Sequence, residues 1–546
     1  MDNDSITPTV PAMARLGTLR TRDKVTNELI LIPAPSSQLD DPLNWPRWFK
    51  YYIIILVSCT ICIATFVTAG PAIMIPNMAI SLYGPPGPDF LDHIGKTAYL
   101  FSVPAMTMGV SNLFWIPLTI KYGRRPIYLA SYIILTASLV WTSRATSYAS
   151  IMAARVVTGL GAGAVEVLVP LTVADIFFLH ERGAMMMVYT FALTAGSSLG
   201  SVISGFIASN VSWRVFFYLC TGIAAALSAL MFISLPETLY LRDTLPQGPA
   251  GVELKEKSTA ENEDGKYGAD CKHLEDGQYN SGPYVGTVPS LSEIMATWPK
   301  KSFTRESVFK LPLRSLILIL LPSVLWASLV MSVLIGFLVA ISTNLSVAFA
   351  EAYQFSLWQT GLCNVANIIG AAIAVFFGGK LSDMVVDFLA SKNNGIKNPQ
   401  MRLPPMLISV ITGPLSLVLY GLGIERGWHW IVPTIGLGLL SFTIVQSANI
   451  SVVYMVDCYR TIAGEVSVTQ YAFKSLFGFL LSFYTNPWIQ GSGYGLAFGE
   501  MAIITGVILL GVIPMYSFGS WINRKSWEWP ISRKLLHWNQ DREIGE

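Results

Sequence analysis

The chain has 546 residues, of which 52% are hydrophobic and only 13% are charged, and its formal net charge is +2. A soluble protein of this length carries about a quarter charged residues, so the composition excludes a soluble globular protein and indicates a polytopic membrane protein. The near-neutral charge, without stretches that interleave basic and aromatic residues, excludes a nucleic-acid partner.

The predicted elements begin with a polar N-terminal tail, residues 1–45, which is expected to be disordered. A spanning helix needs about 20 mostly apolar residues. Six such stretches lie in the first half of the chain, near residues 51–76, 97–118, 127–145, 149–174, 185–208 and 213–235. Together they predict a first six-helix bundle over residues 46–240.

Residues 241–310 are polar, charged and poor in large apolar side chains, which indicates a flexible linker. Six further apolar stretches lie near residues 313–341, 358–380, 404–424, 430–452, 461–485 and 499–520. They predict a second six-helix bundle over residues 311–522, followed by a C-terminal tail, 523–546. The predicted fold class is therefore an all-α polytopic membrane protein with twelve transmembrane helices in two bundles.

Basic residues in the short loops indicate the orientation. The loop after the second stretch holds Lys121, Arg124 and Arg125, and the loop after the eighth stretch and the C-terminal tail are also basic. The positive-inside rule then places both termini and the linker in the cytoplasm, and we expect the protein in the plasma membrane. The sequons at Asn210 and Asn344 fall on the outer side, where N-glycosylation is predicted.

The absence of the corresponding motifs argues against metal binding, ATP hydrolysis and enzymatic catalysis. The CxxC of Cys59 and Cys62 lies inside the first apolar stretch without a second ligand pair, so neither a metal nor a cofactor is predicted. No phosphate-binding G-x-x-x-x-G-K-[ST] loop is present, which excludes ATP as the energy source. The five histidines are spread out and form no catalytic pair inside a span, so an enzyme is not predicted.

A carboxylate, Glu166, lies in the middle of the fourth apolar stretch. Such a charge costs about 2.5–3.5 kcal/mol on insertion scales, so it must face a cavity, a proton or a partner. One interpretation is a carboxylate that couples transport to protons or binds a cationic substrate; the other is a structural partner of a polar group on a neighbouring helix. Arg155 is eleven positions earlier, three turns away on the same helix face, which is too far for a direct pair. The alternative to a functional role for Arg155 is that its side chain snorkels to the outer membrane interface.

Other charges fall near the predicted span ends. Asp175 is expected to pair with Arg182, or with Arg124 or Arg125 in the neighbouring inner loop. In the eleventh stretch Glu465 and Lys474 are nine positions apart and face opposite sides of one helix. Glu465 is predicted to be structural, with a transport role as the alternative, and Lys474 is deep enough to neutralise an acid in the cavity.

Short motifs carry a resemblance to a known family. The turns after the second and eighth stretches, "WIPLTIKYGRRPIYL" and "GGKLSDMVVDFLASKNNG", resemble the G-x-x-x-D-(R/K)-x-G-R-R signature of the major facilitator superfamily. The fourth stretch, "ARVVTGLGAGA", resembles the R-x-x-x-G-x-G-x-G pattern of that family, and "GSSLGSVISG" resembles its antiporter pattern G-x-x-x-G-P-x-x-G-G. The matching inner-loop residues are Lys121, Gly123, Arg124, Arg125, Gly379 and Asp383. In the antiporter-like motif they are Gly196, Gly200, Ser201 in place of the proline, Ser204 in place of a glycine, and Gly205.

The segments "DPLNWPRW", "ADIFFLHERG" and "DCYRTIAGE" are similar to the fungal drug:proton antiporter group and its polyamine and cation transporter relatives. The resemblance implies a monomeric secondary transporter that rocks around a midplane site, with a small organic substrate and protons as partners in a lipid bilayer. It also implies proton transfer at Arg155, gating at the inner loops and sealing by the antiporter-like motif. Export of drugs or secondary metabolites is favoured over import of organic cations or polyamines, and a nutrient sensor is a remote alternative.

Overall fold

The computed structural model describes residues 19–20, 41–240, 317–393, 396–459 and 463–529. The predicted linker, 241–310, lies outside the described residues, as do most of the N-terminal tail and residues 530–546 of the C-terminal tail. The described structure begins before the predicted tail boundary at residue 45: residues 41–45 are buried, and Pro42–Asn44 form a 3₁₀ turn. The Nζ atom of Lys50 donates to Leu43 O at 2.8 Å, and the ring of Trp45 packs edge-on against Phe49.

The first half consists of seven helices. They are α1 Arg47–Ala69, α2 Ile75–Tyr83, α3 Phe90–Tyr122, α4 Arg124–Arg144, α5 Tyr148–Ile176, α6 Leu179–Asn210 and α7 Trp213–Ser234. A 3₁₀ turn, Gly70–Ala72, joins α1 to the short helix α2. Long apolar segments form these helices because every peptide group must be paired inside a bilayer.

The second half continues the numbering. Its helices are α8 Pro322–Tyr353, α9 Leu357–Cys363, α10 Val365–Val375, α11 Ser382–Lys392, α12 Leu407–Glu425, α13 Ile431–Cys458, α14 Ala463–Leu510 and α15 Val512–Glu528. A π-helical turn, Phe376–Leu381, connects α10 to α11, so that α9 to α11 form one crossing. Two short strands, β1 Leu19–Arg20 and β2 Ile396–Lys397, pair antiparallel.

Among the described residues, eleven helices are long and apolar enough to cross a membrane. The long helix α14 is broken at Gly493, whose φ of 78° and ψ of 168° are not helical. Its first leg, 463–492, is therefore a separate crossing segment, which brings the described segments to the predicted twelve. The predicted all-α fold is thereby confirmed.

One predicted span is misplaced. The seventh was expected near 313–341, whereas α8 begins at Pro322 and ends at Tyr353. Proline is favoured in the first turn of a helix, which fixes the start. The helix continues through the polar residues after position 341, because the hydroxyls of Ser342 and Thr343 donate to carbonyls of their own helix at 2.8 Å.

Each half has its own apolar core, and the helix ends define two faces. We call the face that holds Tyr122, Ile176 and Ser234 the linker face, because α7, the last helix before the predicted linker, ends there. The other is the opposite face, where α4 ends at Arg144 and α14 breaks at Gly493. The halves meet where α6 packs on α9 and α10 and where α3 packs on α14.

Candidate functional site

An ion pair joins the two halves inside the bundle. The Nζ atom of Lys474 on α14 donates to Oε1 of Glu166 on α5. Their side chains are 8% and 3% exposed, so both charges are withdrawn from solvent. Removal of either partner would leave the other charge buried without compensation, which costs free energy of folding.

Further polar side chains surround the carboxylate. Nδ2 of Asn112 on α3 lies 3.5 Å from Oε2 of Glu166, and Oδ1 of Asn112 is buried without a hydrogen-bond partner in the described part of the chain. The ammonium of Lys474 lies 5.0 Å from the centre of the Tyr471 ring, which is cation–π distance. The carboxylate thus has one long hydrogen bond besides its ion pair, and the ammonium has an aromatic face.

A tyrosine of α6 compensates for a backbone hydrogen bond that a proline of α5 removes. Pro170 has no peptide N–H, so the carbonyl four residues earlier, that of Glu166, loses its helical partner. The hydroxyl of Tyr189 on α6 donates to this carbonyl at 3.0 Å. The side chain and the backbone of Glu166 are therefore fixed by different helices.

The polar residues lie at one depth. Asn112, Glu166 and Tyr189 are each ten residues from the linker-face end of their helices, and Lys474 is eleven residues from the start of α14. At 1.5 Å of rise per residue this is about 15 Å, whereas the other end of α5 is 18 residues, or about 27 Å, from Glu166. The layer therefore lies inside the bundle, nearer to the linker face. The sequence predicted a position for Glu166 inside the span but did not identify its partner.

Side chains of both halves meet on each side of the polar layer. Towards the linker face, an apolar cluster combines Ile116 and Val167 of the first half with Met331 and Val468 of the second. Towards the opposite face, aromatic rings stack across the halves, with centroids 5.5 Å apart for Tyr99 and Phe483 and 5.9 Å for Phe206 and Trp358. The ion pair therefore lies between two contacts that must separate before either face gains access.

The antiporter-like motif packs α6 on two partners. A Cβ atom at Gly196 or Gly200 would lie 2.2 or 2.5 Å from backbone oxygens of α1, so both glycines permit close approach. At the other end of the motif, a Cβ atom at Gly205 would lie 2.7 Å from Leu357 O of α9. The motif thus touches the first half through its beginning and the second half through its end.

The two serines of the motif replace residues of the family pattern. Ser201 Oγ donates to Ser197 O at 3.2 Å, within its own helix. Ser204 Oγ donates to Gly70 O at 2.6 Å, which ties α6 to the turn after α1. The bond from Ser204 reaches the turn after α1, and a glycine at this position could not form it.

The inner loop between α3 and α4 is closed by charges. Nε of Arg124 lies 3.2 Å from Oδ2 of Asp175, one of the pairings predicted from the sequence. Gly123 has a φ of +93°, and a Cβ atom there would lie 2.4 Å from the Glu237 carboxylate. Only glycine adopts this backbone conformation without strain. The Nη2 atom of Arg125 donates to Phe232 O at 2.8 Å.

Glu237 was missed by the sequence analysis. Its oxygens accept from the backbone N–H groups of Arg124 at 2.8 Å and Arg125 at 3.1 Å, so the carboxylate caps the start of α4. Burial raises the pKa of Glu237 above its ordinary value, against the lowering effect of these hydrogen bonds. The signal was its position three residues after α7, beside the predicted linker.

The second half has a corresponding cluster. Arg402 bonds to Asp457 at 2.7 Å and lies 3.5 Å from Asp383. Gly379 of the π-helical turn faces Met187 of α6, whose atoms would be 3.3 Å from a Cβ atom there. The structure thus places Asp383 in an ion-pair cluster and Gly379 at a contact between the halves.

Several other predicted residues lie apart from the ion pair. Lys121 places its ammonium over the ring of Tyr122 at 5.7 Å. Arg182 donates to the carbonyls of Phe177 at 3.0 Å and Ala174 at 2.6 Å. Glu465 is buried in the first turn of α14, nine residues before Lys474.

Arg155 is not brought to Glu166. Its guanidinium is fully buried and bonds to three backbone carbonyls of α1 and α3. The two side chains are eleven residues apart on α5, about 16 Å along the helix axis. The structure therefore shows no direct contact between the two residues that the sequence placed on one face.

The two predicted glycosylation sites differ. Asn210 is the exposed last residue of α6, where glycosylation stays a prediction. Asn344 is 8% exposed inside α8, and its Oδ1 accepts from the hydroxyl of Tyr494 at 3.2 Å. The burial of Asn344 argues against glycosylation there, and the misplaced end of the seventh span is what put this residue in a predicted loop.

Comparison with known proteins gives concordant matches. A family model described as Major Facilitator Superfamily matches residues 57–472. The chain is 25% identical to Protein HOL1 of Saccharomyces cerevisiae, covering 93% of this chain and 92% of that protein. It is 22% identical to MFS antiporter QDR3 of Candida albicans, covering 90% and 80%.

Solved structures agree on the fold. The human organic anion transporter MFSD10 superposes with a TM-score of 0.54 and 16% identity, covering 86% of this chain and 100% of that one. The xylose transporter XylE of E. coli, in a partially occluded inward-open conformation, superposes with a TM-score of 0.57 and 13% identity, covering 86% and 99%. At these identities the likeness concerns the fold alone.

Proposed function

Because the chain belongs to the Major Facilitator Superfamily, whose members are transporters rather than enzymes, we propose that it exports small organic molecules in exchange for protons. The observation that carries this proposal is the buried ion pair between Glu166 and Lys474, which joins the two halves inside the bundle. Alternating access requires the halves to separate on one side of a central site at a time. A charge pair that crosses between them is therefore made and broken in each cycle.

Protonation gives the pair a switch. A proton on Glu166 removes its charge and with it the attraction to Lys474, so the halves lose this ionic contact. Loss of that proton restores the carboxylate and favours the joined state again. Since Asn112 Oδ1 has no hydrogen-bond partner among the described residues, it adds a hydrogen-bond acceptor for a substrate beside the carboxylate.

Exchange follows from competition for the same groups. A substrate cation competes with the proton for Glu166, and an anionic group competes with Glu166 for Lys474. For a cation, substrate and proton are therefore bound in different half-cycles, whereas protonation of Glu166 frees Lys474 for an anion, so an anion would bind together with the proton. Export is supported by the antiporter-like motif on α6 and by the similarity to a protein named as an antiporter. The proposal includes a monomer in the plasma membrane with both termini in the cytoplasm.

Proteoliposomes with an imposed pH gradient test the proposal. The internal pH is followed with a trapped dye during addition of a panel of fluorescent cationic, anionic and neutral amphiphiles. We expect at least one compound to move against its gradient while protons flow the other way. Glu166→Gln should abolish this movement, whereas Glu351→Gln, which neutralises an exposed glutamate at the end of α8, should preserve it.

Two outcomes would contradict the proposal. Full pH-dependent transport by the E166Q variant would show that the proton is carried elsewhere. Substrate and proton movement in the same direction would instead indicate proton-coupled import of organic cations, the alternative that uses the same carboxylate.

A further inference from the structure

Arg155 makes three hydrogen bonds, all to backbone carbonyls of other helices. Nε donates to Leu100 O at 2.8 Å, Nη1 to Val67 O at 3.1 Å and Nη2 to Thr68 O at 3.0 Å. The side chain is fully buried. Carbonyls inside a helix normally accept from the N–H group four residues later, so three accessible carbonyls at one arginine need an explanation.

Two prolines supply it. Pro71 lies four residues after Val67, and Pro104 lies four residues after Leu100. Because proline has no peptide N–H, both carbonyls lose their helical donor, and an unpaired buried carbonyl costs about 1–3 kcal/mol. The third carbonyl, Thr68 O, lies just before the 3₁₀ turn Gly70–Ala72, where the helical bonding pattern changes.

We propose that Arg155 is a positioning residue that replaces the N–H groups missing at Pro71 and Pro104 and thereby fixes the break between α1 and α2. The planar guanidinium has five donors in a rigid fork, which suits several fixed acceptors better than a lysine ammonium does. This assignment replaces the proton-transfer role that the family resemblance implies for Arg155.

The break matters because the chain beyond it crosses to the second half. We call residues Ile73–Tyr83, which include α2, the strap. Ile73 is 1% exposed and lies in the core of the second half. Ala79 belongs to a small cluster against which Val339 and Val347 of α8 pack. The direction of the strap, and hence its closure over the opposite face, is set at the break.

A second bond holds the same break. Ser204 of the antiporter-like motif donates to Gly70 O at 2.6 Å, from the other side of α1. A Cβ atom at Gly70 would lie 2.4 Å from the Phe216 ring and 3.1 Å from Gly200 O, so the turn is tightly enclosed. In this chain the proline at the helix break beside the motif is therefore Pro71, in the turn after α1, rather than a proline of α6.

The test compares access to the strap. In a cysteine-free background, Ala79→Cys is labelled with a membrane-impermeant maleimide from the side of the opposite face. Arg155→Met should label about tenfold faster, since tenfold corresponds to about 1.4 kcal/mol, one net hydrogen bond. Arg155→Lys should fall between, because one ammonium does not replace the fork.

Restoring a donor provides the decisive variant. Pro71→Ala returns an N–H to Val67 O, so the double variant R155M/P71A should label several-fold more slowly than R155M. Arg214→Met is the matched control, since Arg214 bonds to Ala145 O at 3.2 Å, a carbonyl without a proline four residues later, and its labelling should match the parent. Unchanged labelling in R155M, or no recovery with P71A, would overturn the proposal.

Transport separates this role from proton transfer. A rate that falls in R155K with an unchanged pH profile supports positioning, whereas a shifted profile contradicts it. This flux measurement rests on the proposed transport function, but the labelling does not, so failure of one proposal is distinguishable from failure of the other.

Discussion

Removal of one charge from the central pair should cost more than removal of both. A single partner left behind in a buried pair costs about 3–5 kcal/mol, whereas replacing both by neutral residues is often nearly neutral or stabilising. In Lys474→Met the carboxylate keeps only the 3.5 Å bond from Asn112, so we expect the loss in free energy of unfolding to lie near the upper value. In Glu166→Gln the ammonium keeps the Tyr471 ring, a contact worth about 1–2 kcal/mol.

We therefore expect an order of melting temperatures in detergent at pH 7.5: wild type and E166Q/K474M highest, E166Q lower and K474M lowest. The charge-reversed pair E166K/K474E should melt close to the wild type. A double variant that melts below both single variants would refute the reasoning, because it would mean that the two side chains act independently.

Three further predictions follow from contacts outside the pair. Gly205→Ala adds a Cβ atom 2.7 Å from a carbonyl of α9, so it should speed maleimide labelling of the Ala79→Cys variant from the opposite face. Gly222→Ala, whose added Cβ atom has nothing within 4 Å, should leave the rate of that labelling unchanged. The raised pKa of Glu237 means that the folded state holds its proton more tightly than the unfolded chain. The stability it contributes is therefore present below about pH 4.3 and lost as the pH rises, so the melting-temperature advantage of wild type over E237Q should narrow from pH 5 to 8. Glycosidase treatment should shift the gel mobility of the N344Q variant as it shifts the wild type, and should leave N210Q unchanged.

The twelve spans and the position of Glu166 could be predicted because both depend on the order of polar and apolar residues alone. A carboxylate flanked by Val165 and Val167 is conspicuous in any hydropathy pattern. Its pairing with Lys474 could not be assigned, because a sequence pattern gives the helix face but not the neighbouring helix.

The role of Arg155 shows a different limit. Its partners are backbone carbonyls, and the residue types in a sequence do not show which backbone carbonyls lie close to a side chain. A signal was nevertheless present, since Pro71 and Pro104 lie inside predicted spans and each must leave a carbonyl without a helical donor. The same rule, applied to Pro170, points to the carbonyl that Tyr189 satisfies.

The position of the Glu166–Lys474 layer inside the bundle has an electrical consequence. A full charge that crosses the membrane gains or loses about 2.3 kcal/mol per 100 mV. In the proposed cycle a proton that reaches Glu166 from one face passes through part of that potential, and its release to the other face passes through the remainder. The membrane voltage therefore acts on proton entry and on proton release, and neither step alone carries the voltage dependence of transport.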